Sequence, residues 1–224
     1  MKRSIITTSD GSTTIQIEDW NEQYHSIHGA IQEAKHVFIK MGLHHFIEIH
    51  KVSTLRILEI GFGTGLNALV TALEASLNNI QVEYEGVEAY PVQETELSKL
   101  NYTTLLAPDQ HSVFDDMHLV SWDNLHPITS SFSLKKRQQF FSELDDVSSF
   151  DLLYFDAFGA RVQPDLWTEA IFNLMFIALK PNGVLVTYAA KGSVRRAMQA
   201  VGFIVERLDG PPGKREMLRA TKPS

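Results

Sequence analysis

The 224-residue chain contains no cysteine, which excludes disulfide bonds, thiolate metal sites and cysteine nucleophiles together. It also has no run approaching 18 apolar residues and no amino-terminal stretch with the apolar core of a signal peptide. A membrane span or a secreted protein would require one of these features. We therefore expect a cytoplasmic protein with no membrane contact. The hydrophobic content of 44% and the charged content of 21% are ordinary for a globular protein.

Positive charge is scarce over most of the chain, whose 20 Lys and Arg face 27 Asp and Glu for a net charge of −7. Residues 191–224 are the exception, with eight Lys/Arg against three Asp/Glu, a local net charge of +5 that leaves −12 on the rest. A basic carboxy-terminal face on an acidic body can contact phosphates locally. Helix and strand surfaces also carry charge for solubility, and composition alone does not separate the two interpretations.

Apolar runs bounded by turn residues alternate with segments of helical periodicity, which predicts one α/β domain over residues 1–224. An extended appendage over residues 1–20 precedes a helical segment from Gln23 to Phe46 that Gly42 interrupts. The expected strands are 55–60, 82–87, 128–134, 150–155, 184–188, 203–208 and 216–220. The expected helices are 66–77, one that opens at Pro91, 138–144, 164–179 and 193–201. We expect the basic cluster Lys135–Arg137 to be a solvated surface.

The stretch around which the chain is organised is a glycine turn between the first main strand and a helix. The strand Leu55–Ile60 is followed by Gly61-Phe-Gly-Thr-Gly65, and the helix begins at Leu66. Glycines there allow positive φ and let a ligand approach without a Cβ in the way. The helix behind them offers unpaired N–H groups and a positive dipole end. This arrangement is typical of a site for a nucleotide-like cofactor.

Two carboxylates help to identify that cofactor. Glu59 precedes Gly61 by two residues. A dinucleotide-binding fold prefers the pattern Gly-x-Gly-x-x-Gly, and its third glycine would fall at Leu66. A carboxylate would repel a pyrophosphate, whereas it suits a zwitterionic amino-acid group. The pattern resembles motif I of class I S-adenosylmethionine-dependent methyltransferases. Glu88 ends the second strand about 25 residues further on, where it can accept hydrogen bonds from ribose hydroxyls.

Further motifs lie along most of the chain. They are Gly61-Phe-Gly-Thr-Gly-Leu-Asn67, Phe155-Asp-Ala-Phe158, Gln163-Pro-Asp-Leu-Trp167, Gly192-Ser-Val-Arg-Arg196, Gly213-Lys-Arg-Glu-Met217, Tyr24-His-Ser26 and the segment Gly29–Phe38. Together they resemble the methyltransferase domain of the bacterial tRNA wobble-uridine enzymes of the MnmC type, which make 5-methylaminomethyl-2-thiouridine. The weakest part of the resemblance is 101–150, where no residue for adenine recognition is identified.

The resemblance implies a fold, an activity and partners. The fold would be a Rossmann-like, mostly parallel seven-stranded sheet with an antiparallel last strand. The activity would be N-methylation of the 5-aminomethyl group of 5-aminomethyl-2-thiouridine by S-adenosylmethionine, with the tRNA anticodon stem-loop as substrate. Since the chain stops at Ser224, it resembles the stand-alone form without an oxidase domain. A functional link to a separate oxidase and to the enzymes that install the aminomethyl group would follow.

The same resemblance, with the spacing above, suggests roles for individual residues. Asp156 ends the fourth strand at the ligand crevice and is the candidate catalytic residue, which orients the amine or holds the cofactor's ammonium. The candidate cofactor-binding residues are Glu59, Gly61, Phe62, Gly63, Thr64, Gly65, Asn67, Glu88 and Asp156. The candidate walls of the acceptor pocket are Tyr24, His36, Phe158 and Trp167, and the candidate tRNA phosphate contacts are Arg195, Arg196, Lys214 and Arg215.

Other interpretations stay open at this point. The acidic body also fits a methyltransferase of the same fold acting on a small-molecule or protein amine. A catalytically silent binding module would need a damaged cofactor site, and an oxidoreductase is supported only by the glycine turn. Six of the nine histidines fall between His25 and His50, but no carboxylate set accompanies them, and we predict no metal.

Overall fold

The computed structural model describes residues 2–224, and these begin with a small antiparallel sheet. Its strands are β1 (Arg3–Thr7), β2 (Thr13–Ile17) and β3 (Glu22–Gln23), in that spatial order. A 3-10 turn at Glu18–Trp20 joins β2 to β3. The expected extended appendage is therefore a three-stranded sheet, and its last strand leads directly into the segment that precedes the first helix.

A second, eight-stranded sheet forms the centre of the molecule. Its strands are β4 (Thr54–Ile60), β5 (Gln81–Val87), β6 (Leu125–Pro127), β7 (Phe132–Arg137), β8 (Phe150–Phe155), β9 (Leu179–Thr187), β10 (Ile204–Asp209) and β11 (Glu216–Thr221). The spatial order is β10-β11-β9-β8-β4-β5-β7-β6. β11 runs antiparallel between β9 and β10, and the inner strands are parallel. The sheet has one strand more than expected, because the short β6 adds antiparallel to β7 at the edge.

Helices cover both faces of this sheet. They are α1 (Ala30–Ala34), a π-helical continuation (Lys35–His44), α2 (His45–His50), α3 (Leu66–Asn78), α4 (Glu94–Leu97), α5 (Tyr102–Leu106), α6 (His111–Leu119), α7 (Glu169–Ala178) and α8 (Gly192–Ala200). Short 3-10 turns lie at Phe141–Glu143 and Pro164–Trp167. The segment α1–α2, α3 and α6 pack on one face, and α7 and α8 pack on the other.

Gly42 does not interrupt the helical segment, contrary to the sequence expectation. The chain continues through it in π-helical geometry. A Cβ at this position would lie 3.0 Å from Val186 Cγ2, so the glycine allows the helix to approach β9 closely. Gly42 is required here for packing and not for a break in the backbone.

Residues 91–144 differ most from the sequence expectation. The helix expected at Pro91 begins only at Glu94 and has four residues. The strand expected at 128–134 is displaced to β7, and the helix expected at 138–144 is a single 3-10 turn at Phe141–Glu143. The weak apolar periodicity of this stretch does not specify its boundaries, which pairing with β5 decides.

The basic cluster 135–137 is not a solvated surface, because it lies on β7 between two other strands. Lys136 is buried, and its ammonium donates a hydrogen bond to the His118 carbonyl oxygen at 2.7 Å. Arg137 is also buried and forms ion pairs with Glu85 and Asp146. Burial of a charge costs free energy unless it is paired, and these contacts compensate for that cost.

The topology places one crevice at the carboxyl end of β4. β4 lies between β5 and β8, so that the crossovers leave it in opposite directions. Such a switch point opens a cleft outside the strand ends, where α/β proteins bind their ligands. No helix among residues 2–224 is both long and apolar enough to cross a membrane.

Candidate functional site

The glycine turn between β4 and α3 forms the floor of the crevice. Gly61, Gly63 and Gly65 have φ values of +91°, +51° and +76°, which L-residues with a side chain rarely adopt. A Cβ on Gly61 would also lie 2.7 Å from the Asp156 carbonyl oxygen. α3 starts with Gly65 as its N-cap and has no side-chain cap, so the amino end of the helix is open to a ligand.

Glu88 closes this turn from the end of β5. Its Oε2 accepts a hydrogen bond from the Gly63 backbone N–H at 3.0 Å, and its Oε1 accepts one from the Tyr90 N–H at 2.9 Å. A carboxylate has about four lone-pair sites, so both oxygens retain acceptor capacity. Glu88 lines the crevice and can bind a pair of hydroxyl groups there.

The side chains of Phe62 and Thr64 hold the glycine turn in place through contacts with neighbouring residues. Phe62 packs over Gly86 of β5, where a Cβ would lie 2.3 Å from the ring. Thr64 Oγ1 accepts a hydrogen bond from the Tyr102 hydroxyl at 3.3 Å. His25, which follows β3, lies 3.4 Å from the same Thr64 oxygen. The small amino-terminal sheet therefore leads into one wall of the site.

Two carboxylates, the buried Glu59 and the half-buried Asp156, share one amide at the end of β4. Asn67 Nδ2 donates hydrogen bonds to Glu59 Oε1 and to Asp156 Oδ2, both at 2.8 Å. Glu59 Oε2 and Asn67 Oδ1 are buried without a hydrogen-bond partner among residues 2–224. Unpaired buried polar atoms are rare in folded proteins. Asn67 and Asp156 line the crevice, whereas Glu59, expected to bind the cofactor, is fully buried and does not line it.

Burial shifts the protonation of both acids. It raises the pKa of Glu59 well above its usual range. Burial, together with the negative charge of Glu33, raises the pKa of Asp156 to about 7. Perturbed groups of this kind concentrate in functional sites. Asp156 can therefore exchange a proton near neutral pH, which an ordinary aspartate cannot do.

The crevice continues into a cavity of about 1120 Å³. Pockets for drug-sized ligands measure roughly 300–1,000 Å³, so this cavity has room for a nucleoside-like cofactor and part of a second molecule. One end contains the glycine turn and Glu88, with Tyr90, Phe140 and Phe141 beside it. The sequence identified no residue for adenine recognition in 101–150. In the structure, Phe140 and Phe141, which follow β7, provide an apolar wall there.

The rest of the cavity has aromatic walls that begin beside the glycine turn, where a Cβ on Gly63 would lie 3.2 Å from the Tyr24 ring. The rings of Tyr24 and Phe158 meet edge to face at 4.9 Å, and Trp20 contacts Phe158 at 5.8 Å. Trp167 does not line the cavity; it is buried and donates a hydrogen bond from Nε1 to the Phe158 carbonyl oxygen at 2.8 Å. His36 also lies outside the cavity, with Nε2 at 2.8 Å from the Asp209 carbonyl oxygen.

Two further residues of this part of the cavity, Glu33 and Tyr188, were not among the predicted site residues. Glu33 of α1 is buried and lines the cavity, where it forms an ion pair with Lys214. The Lys214 ammonium lies 3.8 Å from the ring centroid of Tyr188. Glu33 lies in the segment Gly29–Phe38, to which the sequence assigned no site residue other than His36, and Tyr188 lies in no motif. Only the packing of α1 against the sheet brings the two together.

The four cationic residues expected at phosphates occupy different environments. Lys214 is paired inside the cavity, while Arg215 is exposed at its rim. Arg195 and Arg196 lie on α8 outside the cavity, Arg196 exposed and Arg195 half-buried. Arg195 Nε is buried without a hydrogen-bond partner among residues 2–224. The structure therefore places three of the four at the surface.

The donor set of the crevice fits S-adenosylmethionine. The glycine turn leaves space that a Cβ would fill, Glu88 offers acceptors for ribose hydroxyls, and the Asp156 carboxylate lines the cavity where it can accept a hydrogen bond from an ammonium. Among residues 2–224, no three His, Asp or Glu side chains are arranged to hold a metal ion. Fold and site together define a class I S-adenosylmethionine-dependent methyltransferase.

Comparison with known proteins confirms that class and the predicted family. Residues 131–223 match the family model described as S-adenosyl-L-methionine-dependent methyltransferase. The structure of MNMC2 from Aquifex aeolicus is similar with a TM-score of 0.75 and 25% identity, covering 98% of this chain and 70% of that one. Spermidine synthase from Thermotoga maritima shares the fold, with a TM-score of 0.59 at 15% identity and coverage of 98% and 69%.

The curated proteins that are similar to this chain are also of the MnmC type. Two tRNA 5-methylaminomethyl-2-thiouridine biosynthesis bifunctional proteins MnmC match, one from Pseudomonas savastanoi pv. phaseolicola at 26% identity over 91% of this chain and one from Burkholderia mallei at 28% over 96%. The chain spans about a third of the length of these relatives, 32% and 35%. It is an S-adenosylmethionine-dependent methyltransferase homologous to the MnmC-type methyltransferase domain.

Proposed function

We propose that residues 1–224 act as one methyltransferase unit that N-methylates the 5-aminomethyl group of 5-aminomethyl-2-thiouridine at the tRNA wobble position. The observation that carries the proposal is the acceptor end of the cavity, where the acids Asp156 and Glu33 lie beside the aromatic walls Tyr24 and Phe158. Carboxylates suit a cationic amine, and aromatic rings suit a planar base. The names of the MnmC relatives supply the particular nucleoside.

The residues that would hold the cofactor follow from the donor set. The backbone at Gly61–Gly65 would approach it closely, and Glu88 would accept its ribose hydroxyls. Asn67, which Glu59 holds through a hydrogen bond, would lie near its amino-acid group, and Phe141 would provide an apolar wall for the adenine. When bound, S-adenosylmethionine supplies an electrophilic methyl group on a sulfonium centre.

Asp156 is the residue that would handle the proton. The acceptor amine arrives largely as an ammonium, which has no lone pair and must lose a proton before it can attack. A carboxylate with a pKa of about 7 is better matched to this task than an ordinary aspartate, since a useful general base has its pKa near the working pH. Asp156 therefore accepts the hydrogen bond that orients the amine and receives its proton. Most of the remaining rate enhancement would come from positioning.

Arg195, Arg196 and Arg215 would contact tRNA phosphates next to the cavity. They belong to the basic segment 191–224, and Arg215 stands at the rim through which a nucleotide would enter. Because the reaction begins from an existing aminomethyl group, another activity must install that group before this methylation.

The test is methyl transfer in vitro, followed by mass spectrometry of the wobble nucleosides. Purified protein, S-adenosylmethionine and tRNA bearing 5-aminomethyl-2-thiouridine should give 5-methylaminomethyl-2-thiouridine, and the Glu88→Ala variant should give none. Transfer to tRNA that lacks the aminomethyl group would contradict the proposal. So would transfer to free amines or protein lysines with no transfer to the modified tRNA, a result that would favour the small-molecule or protein alternative.

A further inference from the structure

The Lys214 ammonium is held inside the acceptor end of the cavity as a ligand would be. It pairs with Glu33 Oε1 and lies 3.8 Å from the centroid of the Tyr188 ring. A carboxylate together with an aromatic face is a general arrangement for binding an organic ammonium. The acceptor in the proposed reaction carries a primary ammonium of the same kind.

The two groups around this ammonium are positioned by other parts of the protein. Glu33 is 6% exposed, and its second oxygen accepts a hydrogen bond from the Ser26 backbone N–H at 2.9 Å. The Tyr188 hydroxyl donates to the Ala157 carbonyl oxygen at 2.8 Å. Both side chains would therefore keep their positions if Lys214 left, and an unpaired Glu33 carboxylate would need a new cation.

Lys214 itself is able to leave. Its side chain is 31% exposed and belongs to the loop between β10 and β11. The backbone of this loop is confined, because Gly213 has a φ of +82° and a Cβ there would lie 2.0 Å from the His28 ring. The rotamers of the side chain are not confined in this way, so rotation about its own bonds can carry the ammonium to the rim beside Arg215.

The Glu33–Lys214 pair acts electrostatically on Asp156, the proposed proton acceptor. Glu33, Tyr188 and Asp156 line the same cavity. The charges of Glu33 and Lys214 act on Asp156 in opposite directions, Glu33 raising its pKa and Lys214 lowering it. An ammonium that replaced Lys214 would thus stand within the electrostatic reach of the proposed proton acceptor.

We propose that Glu33 and the Tyr188 ring form the subsite that binds the acceptor's ammonium, and that Lys214 occupies it until the acceptor arrives. The displaced Lys214 then faces the phosphate backbone at the rim. This inference rests on the proposed amine acceptor and adds the residues that recognise it. It also explains selection for a cationic acceptor, since a neutral group cannot replace Lys214 at Glu33.

The test measures binding of a simple ammonium, independently of methyl transfer. Benzylamine serves as the probe and benzyl alcohol as its neutral counterpart, and both are titrated by NMR into protein saturated with S-adenosylhomocysteine. Lys214→Met should bind benzylamine about tenfold more tightly than wild type, which corresponds to roughly 1.4 kcal/mol. Benzyl alcohol affinity should not change, and adding Glu33→Gln to Lys214→Met should remove the gain.

Lys191→Met is the matched control, since Lys191 lines the same cavity and loses the same charge but does not contact Glu33. An equal gain in this control, or no gain in Lys214→Met, would overturn the subsite. Lys214→Gln provides a second variant if methionine lowers the melting temperature. A benzylamine gain together with failed methyl transfer to the aminomethyl tRNA would leave the subsite standing and refute the proposed acceptor.

Discussion

At the scale of single residues, the site depends on acids that water does not fully reach. Asn67 holds Glu59 and Asp156 together through one amide nitrogen, and burial raises the pKa of both acids. Two adjacent carboxylates become harder to ionise in such surroundings. The same desolvation that makes Asp156 a usable base therefore also makes the ligand-free protein sensitive to pH.

Replacing Asp156 by Asn should change how stability depends on pH. Because the folded pKa of about 7 exceeds the ordinary aspartate value of 3.8, the folded state binds the extra proton, and the resulting stability is lost as pH rises through 7. Between pH 5 and 7 this loss corresponds to roughly 3 kcal/mol, and we expect about half of that because Asp156 faces a cavity open to water. Urea unfolding at pH 5 and pH 8 should show a smaller loss in Asp156→Asn than in wild type.

The same variant should lose activity. We expect kcat to fall about 100-fold, in the range typical of a lost proton acceptor, with S-adenosylmethionine affinity largely retained. In wild type, kcat/KM should rise with pH through the ionisation of Asp156. An unchanged pH profile in Asp156→Asn would assign the residue a purely structural role.

At the scale of elements, α8 connects the hydrophobic core to the proposed tRNA surface. Val194, Ala197 and Met198 anchor it in the core, while Arg196 is exposed and Arg195 is half-buried. On the opposite face of the sheet, Lys35 and Lys40 are exposed on the π-helical segment. The two pairs allow a comparison at equal charge change.

Reversing Arg195 and Arg196 to Glu should weaken tRNA binding and flatten its salt dependence. Each phosphate contact contributes about 0.7–0.9 to the slope of log K against log salt, so the slope should fall by roughly 1.5. Filter binding at several salt concentrations measures this, and calorimetry should show unchanged S-adenosylmethionine affinity. If Lys35→Glu/Lys40→Glu causes an equal decrease, α8 has no special role and the effect is one of net charge.

Another element-scale feature joins the amino-terminal sheet to the acceptor loop. The Arg161 guanidinium donates hydrogen bonds to the carbonyl oxygens of Trp20 and Asn21, at 3.1 and 3.2 Å, and pairs with Glu22. This clamp holds the appendage against the segment that carries Phe158. The acceptor end of the cavity is thus assembled from two regions of the chain about 140 residues apart.

At the scale of the whole molecule, one sheet separates two hydrophobic cores. Phe38 packs in the core beneath the segment α1–α2, and Phe172 packs in the core beneath α7. Both side chains are almost fully buried. Since the strands of the central sheet contribute to both cores, we expect the two faces to unfold together.

Phe38→Ala and Phe172→Ala test that expectation. Each should lower the free energy of unfolding by about 3–5 kcal/mol, the usual result of removing a buried ring. Far-ultraviolet and near-ultraviolet circular dichroism should report one coincident transition in each variant. Separate transitions would show that the two faces are independent folding units and would contradict the single-domain proposal.

The sequence by itself determined the class of the protein. The glycine turn, the acids Glu59 and Glu88 and the spacing of strands and helices are local features, and local backbone preferences and periodicity suffice to predict them. The cofactor, the α/β architecture and the position of Asp156 at a strand end follow from such features. The edges of the sheet do not, because β6 and the displaced β7 form through pairing with distant strands.

Only the tertiary structure decided which side chains share the cavity with Asp156. Glu33 and Lys214 are separated by 181 residues, and Tyr188 belongs to neither segment, so no spacing in the sequence predicts their contact. His36 and Trp167 carried the right chemistry for a pocket wall but lie outside the cavity. The reason is physical: burial and charge pairing depend on packing across the whole sheet, whereas a turn depends only on its own residues.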